Sequence, residues 1–190
     1  MRRVVVTGMG MVTPLGCGVN HNWTELLKGC SGAGVITKFN TENSKYKVAC
    51  EVPVGDGNNG TFNAEKYIEK KEIKKIDEFI QYSLAATKES FDNAGLSELT
   101  EQDSINSGCI IGSGMGGLPG IEKTSLELNL GKKVSPFFIT GRIINMPSGY
   151  ISMNYNFNKL MIVIIFMIIF IIILYISQYI NVSKQDYNTI

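Results

Sequence analysis

Apolar and polar positions divide the chain into short blocks of two periods. Arg2 to Thr7 (RRVVVT) is apolar and β-branched and breaks at Gly8-Met9-Gly10, which predicts a buried strand ending in a tight turn. Asn20 to Cys30 reads as a helix: Asn20 or Asn22 can cap it, Trp23, Leu26 and Leu27 share a face, and Gly29 can end it. Tyr46 to Pro53 alternates and predicts a strand, followed by a loop from Gly55 to Gly60. Lys74 to Ala94 carries the clearest helical period. Ile76, Phe79, Ile80, Leu84, Thr87, Phe91 and Ala94 keep to one face, and Gly95 stands where a left-handed C′ residue is wanted, followed by apolar Leu96. Ser107 to Ile111 predicts a short strand running into a glycine-rich loop, and Ile121 to Leu130 a helix. Val134 to Ile139 contains Pro136 and is no central strand; Asn145 to Met153 can open a helix with Pro147 in its first turn. Strand and helix alternate, which indicates an α/β domain with parallel pairs.

The pattern changes near residue 150. All 20 Gly and all 5 Pro precede Tyr150, while Ile, Asn, Tyr, Phe and Lys, residues of A/T-rich codons, make up 27 of the last 41 positions. Leu160 to Ile176 is an uncharged run of 17 residues, and a candidate membrane helix extends over 160–180. Three readings stay open for this tail: a C-terminal membrane anchor, a buried core helix, or translation continuing past an interrupted gene into A/T-rich sequence. The chain therefore divides into a first region over residues 1–155 and an unrelated hydrophobic tail over 156–190, in which 160–180 is expected to be a helix apolar on every side.

The 190 residues suit one domain, and a formal net charge of +1 gives no reason to expect nucleic acid as a partner. No signal peptide opens the chain, since the apolar run after Arg2 and Arg3 is only Val4 to Val6; the front region is expected to be cytoplasmic. Cys17, Cys30, Cys50 and Cys109 lack the close spacing of a zinc or redox pair, and His21 is the only histidine. No metal site is expected.

Two strand-then-glycine signals invite a nucleotide reading. One is Gly8-Met9-Gly10; the other, Gly112, Gly114 and Gly117, fits G-x-G-x-x-G literally. The context argues against it. Pro14-Leu15-Gly16-Cys17-Gly18 continues a loop where a helix should start, and Glu127 comes too early for the ribose acid. The alternative is that these glycines permit turns and close backbone packing.

Five stretches are informative together: RRVVVTGMGMVTPLG (Arg2 to Gly16), KKIDEFIQYSLAA (Lys74 to Ala86), GCIIGSGMGGL (Gly108 to Leu118), KKVSPFFI (Lys132 to Ile139) and IINMPSGYIS (Ile143 to Ser152). In this order they resemble the N-terminal half of the 3-oxoacyl-[acyl-carrier-protein] synthases, the synthase 2 branch in particular. These are condensing enzymes of type II fatty-acid biosynthesis with the thiolase fold. The resemblance implies an incomplete N-terminal half of that fold over residues 1–155, with apolar faces left uncovered.

The resemblance also implies the chemistry. A cysteine thiolate takes an acyl group from acyl carrier protein, malonyl carrier protein loses carbon dioxide, and the carbanion attacks the thioester while two histidines assist. No cofactor is implied. In such enzymes the cysteine follows the segment matching Ile143 to Tyr155, in a Thr-Ala-Cys turn. Here Asn156 to Ile180 continues without Cys, His or Gly. No catalytic residue is therefore assigned, and the chain alone is expected to be inactive. By resemblance Met115 borders the acyl pocket, and Phe138 lies near its end and the dimer contact. Lys71, Lys74 and Lys75 match a basic cluster that docks acyl carrier protein, offset here by Glu65, Glu69, Glu72, Asp77 and Glu78. The family is homodimeric; the resemblance does not secure a dimer of this chain. Two further readings stay open: a membrane-tethered protein that binds acyl carrier protein or a synthase subunit, and the N-terminal chain of a split synthase.

Overall fold

The computed structural model describes residues 3–96 and 98–157. The candidate helix over 160–180, and every reading of the tail, lies outside the described residues. Among the described residues no helix is long and apolar enough to cross a membrane.

In chain order the elements are β1 (Val12–Thr13), β2 (Gly16–Cys17), α1 (Val19–Leu27), β3 (Ala33–Val35), β4 (Val48–Cys50), α2 (Lys70–Ile73), α3 (Glu78–Ala94), α4 (Glu101–Asn106), α5 (Leu118–Asn129) and α6 (Met146–Asn154). β1 and β2 form one antiparallel pair, β3 and β4 another, with Ala33 opposite Cys50 and Val35 opposite Val48.

Helix α3 organises the rest. It buries Ile80, Gln81, Leu84 and Ala85, and it ends as its sequence predicts: Gly95 takes φ 69°, and the Leu96 N–H donates to Phe91 O. Helix α6 lies across it, so that Ile76, Ile80, Leu84, Cys109 and Ile151 close the core. Phe91 and Tyr155 extend this contact, their rings stacked with centroids 4.0 Å apart. Full burial of each such side chain contributes roughly 1.5–3 kcal/mol, and few side chains achieve it here.

The helix expected from Lys74 begins instead at Glu78, after the separate short helix α2. The break lies at Asp77, whose backbone is extended and whose N–H donates to Gly141 O of another segment. A second correction concerns the sheet. Neither Arg2–Thr7 nor Ser107–Ile111 is a strand among the described residues, and the only parallel pairing is an isolated bridge between Val54 and Phe62. A strand exists only where a neighbour accepts its hydrogen bonds. Here helix α3 supplies some of those partners: Met9 N–H donates to Asn93 Oδ1 at 3.2 Å and Met11 N–H to Glu89 Oε2 at 2.8 Å.

The spacing of Gly8 and Gly10 fits that helix. Two extended residues advance about 6.6 Å, close to the ~5.4 Å of one helical turn. A Cβ on Gly8 would run into Ser90 O, and one on Gly10 into Ala86 O, one turn earlier. Glycine is required at both positions for close packing. The opposite side of these segments is open: Val4 is 93%, Val6 82% and Ile110 81% exposed. Exposed apolar side chains are thus present among the described residues.

Candidate functional site

The lysine segment is built by α2 and the turn after it. Lys71 Nζ lies 2.8 Å from Glu69 Oε2 and Lys75 Nζ 2.6 Å from Glu72 Oε1. The Glu69 carboxylate raises the Lys71 ammonium above its ordinary value through their hydrogen bond, but both groups are in solvent and the pair is weak. Lys75 is also held from the other side, its Nζ 4.7 Å from the centre of the Phe137 ring. Lys74 forms no ion pair among the described residues. It lines a cleft of about 470 Å³ together with Asp77, Glu78, Lys123 and Arg142. The three lysines share one segment, and two of them are locally neutralised.

The same cleft holds a pair that sequence reasoning missed. Arg142 Nε lies 3.2 Å from Asp77 Oδ1, and both side chains are more than four-fifths buried. Arg142 Nη1 donates to Lys75 O at 3.1 Å, the Gly120 N–H donates to Asp77 Oδ2 at 3.2 Å, and the Gly117 N–H donates to Arg142 O at 2.8 Å. Burial pushes the Asp77 carboxyl above its ordinary value, and the Arg142 charge opposes that rise. The pair accounts for Gly117, the last glycine of the second motif, and for Gly116 and Gly120 beside it. A Cβ on Gly116, Gly117 or Gly120 would collide with Arg142 or Asp77, whereas Gly112 and Gly114 face open space. The N-terminal turn of α5 is thus occupied by the protein's own carboxylate, which leaves a pyrophosphate no place there. The signal available in the sequence was Arg142 itself, a lone charge between Val134 and Met153.

Met115 stands at the tip of the loop that this pair anchors and is 69% exposed. Phe138 is half-buried in the turn after Ser135, whose carbonyl accepts the Phe138 N–H at 3.0 Å. The loop of Met115 and the turn of Phe138 both meet the lysine segment, the first through Arg142 and the second through Phe137.

The sulfur and imidazole groups lie elsewhere. Cys17 Sγ is 3.4 Å from Tyr67 Oη, and this bond together with burial pushes the Tyr67 phenol up to about 12. Cys17 adjoins the N-terminus of α1, but the Glu89 carboxylate already accepts the Val19 N–H there at 2.7 Å. Cys30 and Cys50 are exposed; the hydrogen bond to Glu25 raises the Cys30 thiol, and burial raises that of Cys109. Raised thiols make poor nucleophiles. His21 packs against Gly16 and Gly60, with Nε2 3.1 Å from Leu15 O. No group of residues that could hold a metal ion is found among the described residues.

Known proteins place this arrangement. The family described as "Beta-ketoacyl synthase, N-terminal domain" matches residues 1–164. The chain is 46% identical over 157 residues to 3-oxoacyl-[acyl-carrier-protein] synthase 2 of Rhizobium meliloti (strain 1021), covering 82% of this chain and 37% of the relative. It is 40% identical to the synthase 2 of Coxiella burnetii (strain RSA 493 / Nine Mile phase I), covering 82% and 36%. The chain thus spans little more than a third of the length of these relatives. Among solved structures it is similar to the ishigamide ketosynthase/chain length factor, with a TM-score of 0.66 at 29% identity, covering 84% of this chain and 38% of that one. It is also similar to a type II polyketide ketosynthase in complex with its acyl-carrier protein and bound to the hexaketide, with a TM-score of 0.62 at 26% identity, covering 83% and 41%. With residues 1–164 matched and the ketosynthase fold shared, the chain belongs to the beta-ketoacyl synthase family.

Proposed function

We propose that this chain serves a condensing enzyme of type II fatty-acid synthesis by binding rather than by chemistry. In this reading Lys71, Lys74 and Lys75 meet the acidic surface of acyl carrier protein, and Met115 and Phe138 border the path of the acyl chain. The elongation step itself, decarboxylation of a malonyl thioester and attack on an acyl thioester, is not performed by residues 1–157.

The observation that supports this division is where the sulfurs lie. Covalent catalysis needs a thiolate with a lowered pKa beside a base. The four thiols of this chain are bonded to Tyr67, raised by Glu25, exposed in β4, or buried in the core, and the single histidine is spent on Leu15 O. The docking part is supported by the solved ketosynthase that holds an acyl-carrier protein, and by the lysine segment lying beside the Met115 loop.

The test is to incubate the purified chain, free of host synthase, with acyl and malonyl carrier-protein thioesters. No elongated 3-oxoacyl product is expected. Product that tracks with the chain through purification would overturn the reading.

A further inference from the structure

Arg142 and Asp77 stand 65 positions apart, yet between them they touch three separate segments. Through Nη1 and Nε, Arg142 binds Lys75 O and faces Asp77; through its carbonyl it accepts the Gly117 N–H. Asp77 accepts the Gly120 N–H through Oδ2 and donates its own N–H to Gly141 O. Each partner would be a buried, unpaired charge without the other, which is strongly unfavourable. The two segments joined here are the lysine segment and the Met115 loop. Gly116, Gly117 and Gly120 make room for the pair, since a Cβ on any of them would collide with Arg142 or Asp77.

We infer that the Asp77–Arg142 pair is a positioning couple that holds the Met115 loop in register with Lys71–Lys75, which rests on the docking and acyl-pocket reading proposed above. Carrier docking at the lysines and reception of the acyl chain at Met115 are then set by one buried couple. The couple touches neither the carrier protein nor the acyl chain.

The test uses the full chain and the variants Arg142→Gln, Asp77→Asn and their double. Hydrogen–deuterium exchange is followed at residues 70–77 and 112–121, with the α3–α6 contact as the control for folding. Each single variant is expected to speed exchange about tenfold or more in both segments while the control keeps its protection. The double variant is expected to add little to either single one. Arg142→Lys keeps the charge without the planar fork and is expected to loosen the same two segments less. It supplies the measurement if Arg142→Gln does not fold. Loosening confined to one segment, loosening of the whole chain, or strictly additive effects would overturn the couple.

A second readout separates positioning from mere structure. Binding is compared for unloaded and hexadecanoyl-loaded acyl carrier protein. The native chain is expected to favour the loaded form, and the variants to lose that preference while still binding the unloaded form. Variants that keep the preference overturn the inference. If the native chain binds neither form, the docking reading of the previous subsection fails. The couple is then judged by exchange alone, where joint loosening upholds it and independent loosening overturns it.

Discussion

Gly120→Ala and Gly149→Ala make the same change inside two helices, and the structure assigns them opposite signs. Replacing a glycine in a helix interior by alanine is worth roughly 0.5–1 kcal/mol, because alanine restricts the unfolded chain and favours the helix. Gly149, inside α6, has room for the methyl group: its nearest neighbour would be Met146 Cε at 3.6 Å, an ordinary contact. Gly149→Ala should therefore stabilise the protein by about that amount. Gly120, inside α5, has none. Its methyl would lie 2.5 Å from Asp77 Oδ2 and 2.6 Å from Arg142 Cδ, and closer still to Arg142 Nε. These groups belong to the buried ion pair and cannot swing into solvent without parting. Breaking such a pair costs about 3–5 kcal/mol, from which the helix gain subtracts up to about 1 kcal/mol. A net loss of about 2–4 kcal/mol is expected for Gly120→Ala. Urea unfolding of the full chain measures both, with the midpoint moving up for one variant and down for the other at similar slope. A Gly120→Ala midpoint at or above that of the native chain would refute the argument, as would equal losses from both substitutions.

Other consequences follow from the same contacts. Ile80→Ala or Ile151→Ala removes a side chain 0% or 2% exposed from the α3–α6 contact and should cost about 2–5 kcal/mol by urea unfolding. With a core this thin, either loss is expected to leave much of the chain unfolded. Asp77 binds its proton more tightly folded than unfolded, because burial raises it despite Arg142. Its contribution therefore favours folding at low pH and is lost as pH rises from about 4 through the folded value. In Asp77→Asn the slope of stability against pH over that window should become more positive; an unchanged slope would contradict the assignment. Cys17→Ala removes the main cause of the high Tyr67 phenol value, so ultraviolet titration should show that phenol moving down from about 12 towards 10. No shift would mean that burial alone holds it up.

The longer helices were legible and the strand pairing was not, although the strand expected over Tyr46 to Pro53 is present as β4. The 3.6-residue period of α3 is written within one segment, and so are its stop at Gly95 and the Pro147 start of α6. A strand depends on a distant partner. Val4 to Val6 and Ile110-Ile111 have strand composition, but no ladder forms on them among the described residues. β3, conversely, has the weak sequence Ala-Gly-Val and was not expected; it exists because β4 pairs with it. The start of α3 was misplaced because Ile76 continues the apolar period while Asp77 is drawn to Gly141. At the site, the lysine segment and its neutralising acids were visible as composition, and the structure shows which acids pair. Asp77–Arg142 was invisible, since nothing local marks two charges 65 positions apart as partners. Its traces were Arg142, a lone charge in its segment, and Gly116, Gly117 and Gly120, where close approach of the pair demands the absence of a side chain.

The proposed function has the chain bind acyl carrier protein through Lys71, Lys74 and Lys75 without performing the condensation. Titrating fluorescently labelled acyl carrier protein with the full chain at low ionic strength tests it most directly. Saturable binding is expected, weakening steeply as salt is added and lost when Lys71, Lys74 and Lys75 are all replaced by Glu. Absence of binding at low salt, or binding that the triple variant leaves unchanged, would contradict it.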